Sequence, residues 1–237
     1  MAGPELSKVR GKYRGADLLR HVLEHIQNPI EFLAELREAN ANQGRIYIEI
    51  PCFDWICENR AWFDIFYEHV NYFRLSDLHK MFGEVVEAGH CFGGQYLYVV
   101  AELSSLSLPA FEDATAVRFP DDFTASIEKD TRPGDIVWGG ASKGLIYSLL
   151  RARADKPVAG VIDVNPAKQG KYLGALGMRV SAPEDLLPGL ARGTRIIVMN
   201  PNYLDEIRAM AGDAFDYWSM AAGELTPASA ETTARKG

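Results

Sequence analysis

The sequence lacks the features that mark several large protein classes. It has no basic cluster: 25 Lys and Arg against 32 Asp and Glu leave a formal net charge of −7. Without a positive stripe there is nothing to neutralise a phosphate backbone, so nucleic acid is not an expected partner. No apolar run reaches the length needed to span a bilayer, and the opening MAGPELSKVRGKYRG has no apolar stretch like that of a secretory leader. A membrane partner is therefore not expected, and a cytoplasmic location is. Only three cysteines occur, Cys52, Cys57 and Cys91. They are odd in number and lack the close spacing of a zinc pair, so they read as reduced thiols that fill small gaps in the core. No internal repeat is visible. What remains is 237 residues, 47% hydrophobic and 24% charged, enough for one large or two small globular domains.

Near the start, Ala16-Asp17-Leu18-Leu19 reads as a short strand. It runs into a polar stretch, Leu19 to Pro29, that carries Arg20, His21, Glu24 and His25. Chemistry in open α/β sheets gathers at the carboxyl ends of strands, so these four residues are candidates. Asn28 is a suitable N-cap with Pro29 at the first helical position. Ile30, Phe32, Leu33, Leu36 and Ala39 then recur at helical spacing until Asn40 to Gly44 stop the helix. Arg45 to Ile50 is β-branched and ends at Pro51, which completes a strand–helix–strand unit. The stretch from Pro51 to Asn71 is rich in aromatics and acids with no clean period, as in a long loop or lid over a pocket. A helix should restart near Ser76 or Asp77. Glu84 to Cys91 and Gln95 to Leu103, separated by Gly93-Gly94, read as an antiparallel hairpin.

Ser104 to Asp122 is small, polar and proline-bearing, and reads as a linker. Beyond it come a short helix at Phe123 to Lys129, a strand at Asp135 to Trp138, a glycine loop at Gly139 to Gly144 and a helix at Leu145 to Ala154. Strands follow at Val158 to Ile162 and Arg195 to Met199, then a helix at Tyr203 to Ala211 and an edge strand at Phe215 to Met220. The expected division is a first domain at 1–103, a linker at 104–122, a second domain at 123–222 and a disordered tail at 223–237.

Three constellations could carry chemistry. Gly139-x-Ala141-x-x-Gly144 follows a strand and opens a helix, and Asp163 ends the next strand about twenty residues on, where a ribose-binding acid is placed in dinucleotide sites. Phosphate would sit on backbone N–H groups at the helix N-terminus, with Lys143 adding charge. Ala141 stands where close approach wants glycine, so the loop could equally be a tight strand-to-helix turn. His21-Val22-Leu23-Glu24-His25 spells H-x-x-E-H, a zinc-protease pattern, with Glu102 as a distant third ligand. That pattern needs one continuous helix, whereas Asn28-Pro29 start a helix after it, so no metal is expected. Tyr67-Glu68-His69, followed by Asn71, Tyr72 and Phe73, sets a histidine beside a carboxylate in an aromatic loop. That is either a general base with a fixed tautomer or a structural histidine.

With these residues the chain resembles the sugar C-methyltransferases, S-adenosylmethionine-dependent enzymes that methylate a nucleotide-linked 4-keto-deoxysugar. RHVLEHI at Arg20 to Ile26 is similar to the segment after the fourth strand of their methyltransferase sheet. Tyr67-Glu68-His69 with Asn71-Tyr72-Phe73 is similar to their E-H-x-x-Y-F loop, and Gly93 to Leu97 to their closing hairpin. Trp138 to Gly144 (WGGASKG), Asp163 to Lys171 (DVNPAKQGK) and Asn200-Pro201-Asn202-Tyr203 with Glu206-Ile207 are similar to motifs of their C-terminal Rossmann-like domain. The likeness spans residues 16–210.

The resemblance implies an α/β fold: the C-terminal half of a class I methyltransferase sheet followed by a second, small Rossmann-like domain. It implies His69 or His25 as the base that removes a proton next to the ketone, Glu68 as its orienting group, and Tyr67 or Tyr72 as hydrogen-bond donors to the enolate. It also implies Arg20 and His21 near the cofactor, and Gly139, Lys143, Gly144, Asp163, Lys168 and Asn200 around a nucleotide or substrate. The chain departs from the family in lacking paired cysteines and the D/E-x-G-x-G loop that places the cofactor's methionine part; Gly3, Gly11 and Gly15 follow no strand. Phe66 stands where some members carry tyrosine. A truncated form with an incomplete S-adenosylmethionine site is therefore expected, with self-association or a partner chain covering the incomplete sheet. The alternatives are a non-catalytic remnant that binds a nucleotide or a partner, and a nicotinamide-dependent oxidoreductase built on the Gly139 loop.

Overall fold

A computed structural model describes residues 17–108, 118–129, 132–221 and 224–228. The chain forms two compact units, one of residues 1–58 with 67–119 and one of 59–66 with 120–237.

In the first unit, β1 (Asp17–Arg20), α1 (Pro29–Ala39) and β2 (Arg45–Pro51) form the expected strand–helix–strand. The strands are parallel, with Asp17 opposite Ile46 and Arg20 opposite Glu49. The chain reverses after α1 through three left-handed residues, Ala41, Asn42 and Gly44, the last with nothing near where a side chain would stand. Next come α2 (Phe53–Glu58), α3 (Leu75–Met81), β3 (Val85–Cys91) and β4 (Tyr96–Glu102). Asp77 accepts the Arg74 backbone N–H at 2.8 Å, so it sits at the third position of α3 and Arg74 is the N-cap. The sheet order is β1-β2-β4-β3, with β3 and β4 the expected antiparallel hairpin. β2 has a neighbour on each side, which is why it is buried from Ile46 to Pro51. Ile46, Ile48 and Ile50 join Leu23, Leu33, Leu78, Leu97 and Val99 in the core. Part of the stretch read as a linker belongs here too, since Leu106 is buried and bridges to Phe82; 109–117 lie outside the described residues.

The second unit contains α4 (Ala125–Lys129), β5 (Ile136–Trp138), α5 (Ser142–Arg153), β6 (Gly160–Ile162), β7 (Tyr172–Leu173) and β8 (Met178–Ser181). It continues with α6 (Pro183–Leu186), β9 (Arg195–Val198), α7 (Leu204–Ala211), β10 (Asp216–Ala221) and β11 (Glu224–Pro227). The sheet order is β11-β10-β9-β5-β6-β8-β7. The five inner strands are parallel, and β7 and β11 pair antiparallel at the edges. β5 comes first in the chain and lies centrally. The next strands, β6 and β8, step to one side, and β9 and β10 step to the other. The direction of winding reverses between β5 and β9, the switch point where doubly wound sheets bind ligands.

A buried fork ties the helix layer to this sheet. Asp135 Oδ2 accepts Arg151 Nη1 at 2.9 Å, and Asp135 Oδ1 accepts Arg195 Nε at 2.8 Å. All three residues are buried. Arg151 Nη1 also donates to the Tyr147 hydroxyl at 2.8 Å, a partner within the same unit.

The mixed α/β architecture is as expected; three details are not. Residues 59–66, read as part of a lid, belong with the second unit. There Trp62, in a short 3₁₀ turn, is 1% exposed and packs on Tyr147. The strand read as an edge, β10, is interior. Its outer neighbour β11 lies within the stretch expected to be a disordered tail; 229–237 are outside the described residues. Among the described residues no helix is long and apolar enough to cross a membrane.

Candidate functional site

β1 ends at Arg20, and His21 takes a left-handed φ of 52°, costly for a residue with a Cβ. The His21 backbone N–H donates to the Glu49 carbonyl at 2.9 Å, so the turn leaves the sheet only after a last ladder bond. The His21 ring stands between two carboxylates, Nδ1 3.7 Å from Glu24 and Nε2 3.5 Å from Glu49, and edge-on to Tyr96. Arg20 lies opposite Glu49 across the strands and donates to it at 2.8 Å. Glu49 also accepts the Tyr47 hydroxyl at 2.7 Å. Burial, then that bond and the Glu49 charge, raise the phenol's pKa well above its usual value. Arg20 and His21, expected at the cofactor, are thus engaged with Glu49 and Glu24.

Leu23–His25 form a single 3₁₀ turn. The turn buries Leu23 and Glu24 and leaves His25 exposed. The loop before α3 is held against it by main-chain bonds: Val70 and Asn71 N–H donate to the Glu24 carbonyl at 2.9 and 3.1 Å. The Asn71 side chain adds a bond to the Ile26 carbonyl. This docking brings His69 to His25, their ring centroids 5.0 Å apart and edge to face, with Tyr72 a further 6.2 Å from His69. His25 Nδ1 lies 2.7 Å from the Glu68 carbonyl oxygen. Because a carbonyl only accepts, Nδ1 carries the hydrogen, so in the neutral ring Nε2 is the nitrogen with the lone pair.

Glu68 therefore orients His25 through its main chain. Its carboxylate turns to Tyr67, accepting the hydroxyl at 3.0 Å, and that bond raises the Tyr67 pKa. Tyr67 is 71% exposed. The carboxylate that stands with both imidazoles is Glu24, whose donor atom lies within 4.8 Å of those of His25 and His69. In the sequence Glu24 stands among the four strand-end candidates and in the H-x-x-E-H spelling, where it would be the base beside His21 and His25. That zinc arrangement does not form: His21 and His25 lie on no common helix, and Glu102 pairs with Arg45.

In the second unit a cavity of about 710 Å³ opens at the carboxyl ends of β5, β6 and β9. Gly139, Lys143, Gly144, Asp163, Lys168 and Asn200 all line it, beside the apolar surfaces of Phe63, Trp138 and Met199. Gly144 is required sterically: a Cβ there would lie 1.9 Å from the Gly139 carbonyl oxygen. Gly139 has a φ of 119°. α5 starts at Ser142 with no side-chain cap. Asp163 accepts three donors, Gly140 N–H at 2.8 Å, Asn165 N–H at 2.9 Å and Lys168 Nζ at 3.1 Å. It braces the loop rather than standing ready for a ribose. Lys143 donates to the Met220 carbonyl at 2.7 Å and lies over the Phe63 ring, and desolvation lowers its pKa. Asn200 accepts the Asn202 N–H at 3.1 Å.

The family model for a methyltransferase domain matches residues 18–85. No curated protein matches the chain. The matched span runs from β1 to the start of β3 and contains Arg20, His21, Glu24, His25 and His69. Such domains typically use S-adenosylmethionine. Arg20 and His21 are paired internally, and in the described first unit no glycine directly follows β1 or β2.

Proposed function

We propose that the first unit supplies the acid–base chemistry of a methyltransferase that acts at a carbon next to a ketone, on a nucleotide-linked deoxysugar. The observation that carries this reading is the His25–His69 pair, with His25 Nδ1–H fixed on the Glu68 carbonyl and Nε2 left basic. An unactivated C–H is far too weak an acid for imidazole; a proton α to a ketone is not, because the electron pair left behind moves onto the carbonyl oxygen. In this reading the proton goes to His69 or His25. Tyr72, beside His69, donates to the developing enolate oxygen, and Tyr67 at the exposed rim is the second candidate donor.

The test needs no methyl donor. Incubated in D₂O with a nucleoside diphosphate 4-keto-deoxysugar, the protein should speed loss of the ¹H signal at the carbon beside the ketone. A rate no higher than buffer overturns the reading.

A second reading, a binding module, is favoured by the cavity at the switch point of the second unit, which is built whether or not the first unit is catalytic. Saturable binding of the same nucleotide sugar without exchange would select it. A nicotinamide oxidoreductase is disfavoured because the Asp163 carboxylate already holds three donors.

A further inference from the structure

Glu24 is 2% exposed, and its Oε2 has no hydrogen-bond partner. A carboxylate removed from water and left unpaired on one oxygen is costly, so the position calls for a cation. Glu24, His25 and His69 each offer one donor atom, all within 4.8 Å of one another. The His25 Nδ1 bond to the Glu68 carbonyl is the outer-shell contact that fixes tautomer and ring direction in metal-binding histidines. Two imidazole nitrogens and one carboxylate oxygen suit a late first-row divalent ion of the zinc class and leave a fourth position open. Magnesium and calcium, which prefer oxygen, are poorly served.

The 4.8 Å limit on the spacing of the three donor atoms admits the roughly 3.3 Å edge of a closed tetrahedral site. Glu24 is the buried, fixed point. His25 is exposed and His69 half-buried, and main-chain bonds hold their two segments together.

We propose that Glu24, His25 and His69 bind a divalent transition-metal ion of the zinc class, and that the bound ion takes the imidazole lone pairs that would otherwise accept the substrate's α-proton. The metal is then an inhibitor of the exchange reaction. Binding stands on the geometry alone; only the inhibition rests on the proposed base chemistry.

Untagged full-length protein, freed of metal by chelation, is titrated with Co²⁺ and read by its visible absorption. A saturable band of four- or five-coordinate intensity, displaced by Zn²⁺, is expected. Its midpoint should weaken at least about tenfold in His25→Gln and His69→Gln, neither of them a core residue, and stay put in His79→Gln. Glu24→Gln should abolish the band if it folds, as checked by circular dichroism. No band in the wild-type protein, or a midpoint unmoved in His69→Gln, overturns the proposal. Deuterium exchange separates the two ideas. If Co²⁺ binds but metal-free protein shows no exchange, the base reading fails and the metal site stands. If exchange proceeds and no band forms, the metal site alone fails. If Zn²⁺ occupies the site without slowing exchange, the inhibition is overturned.

Discussion

His25 and His69 meet edge to face, ring centroids 5.0 Å apart, although one ends a turn after β1 and the other sits in the loop before α3. What joins them is backbone: two N–H groups, of Val70 and Asn71, on the single carbonyl of Glu24. If the pair removes the α-proton, His25→Gln and His69→Gln should each slow deuterium exchange by about 10²–10⁴-fold, the usual worth of a positioned base. Glu68→Ala should cost less than either, since its contact with His25 is through the main-chain carbonyl, which the substitution keeps. Exchange rates by NMR, variant by variant, check the order.

Sequence carried the elements with strong periodicity or punctuation: α1 behind Asn28-Pro29, the hairpin around Gly93-Gly94, and the glycine loop between β5 and α5. It carried less of what depends on tertiary contact. Trp62 lies among residues without a helical or strand period, so nothing local says that it packs on Tyr147 in the core of the second unit. β11 lies within a small, polar stretch and pairs antiparallel on the edge of β10. Glu68 looked like the partner of His69 because it is adjacent in the chain, yet neighbouring side chains in an extended loop point apart. The carboxylate near both imidazoles is that of Glu24, far away in sequence. The six residues read as nucleotide- or substrate-binding all line one cavity of the second unit, but Asp163 and Lys143 have local partners that residue types alone do not reveal.

Gly144 should tolerate no side chain. In Gly144→Ala the added methyl would sit 1.9 Å from a main-chain oxygen, which has no rotamer to yield. The strand-to-helix turn must open, at a cost of about 3 kcal/mol or more to the second unit. Gly174→Ala, where nothing lies within 4 Å, should stay within about 0.5 kcal/mol. Urea unfolding of the two variants beside wild type measures both.

Asp135 holds both Arg151 and Arg195, and all three are buried. Asp135→Asn removes the negative charge that the two guanidinium groups share. The expected loss is about 3–5 kcal/mol, typical of breaking a buried pair by removing one partner. A drop in the urea midpoint of less than a few tenths molar would show that the arginines find other acceptors.

Tyr47 gives a stability difference with a defined pH sign. Its hydroxyl donates to Glu49 at 2.7 Å, and burial, that bond and the Glu49 charge raise its pKa above the ordinary 10.0. At pH 8 the tyrosine is protonated in both folded and unfolded chains, and Tyr47→Phe should cost about 2 kcal/mol, the worth of a hydrogen bond to a charged acceptor. Above pH 10 the unfolded tyrosine ionises while the folded one keeps its proton. The native state then binds more protons, and its advantage falls as pH rises, by up to about 1.4 kcal/mol per pH unit. Phenylalanine has no proton to lose, so the gap between wild type and variant should narrow from pH 10 to pH 11 and stay constant from pH 7 to pH 9. Urea denaturation across that range decides it: a gap that widens with pH would mean the folded phenol ionises before the unfolded one, opposite to what its burial against Glu49 requires.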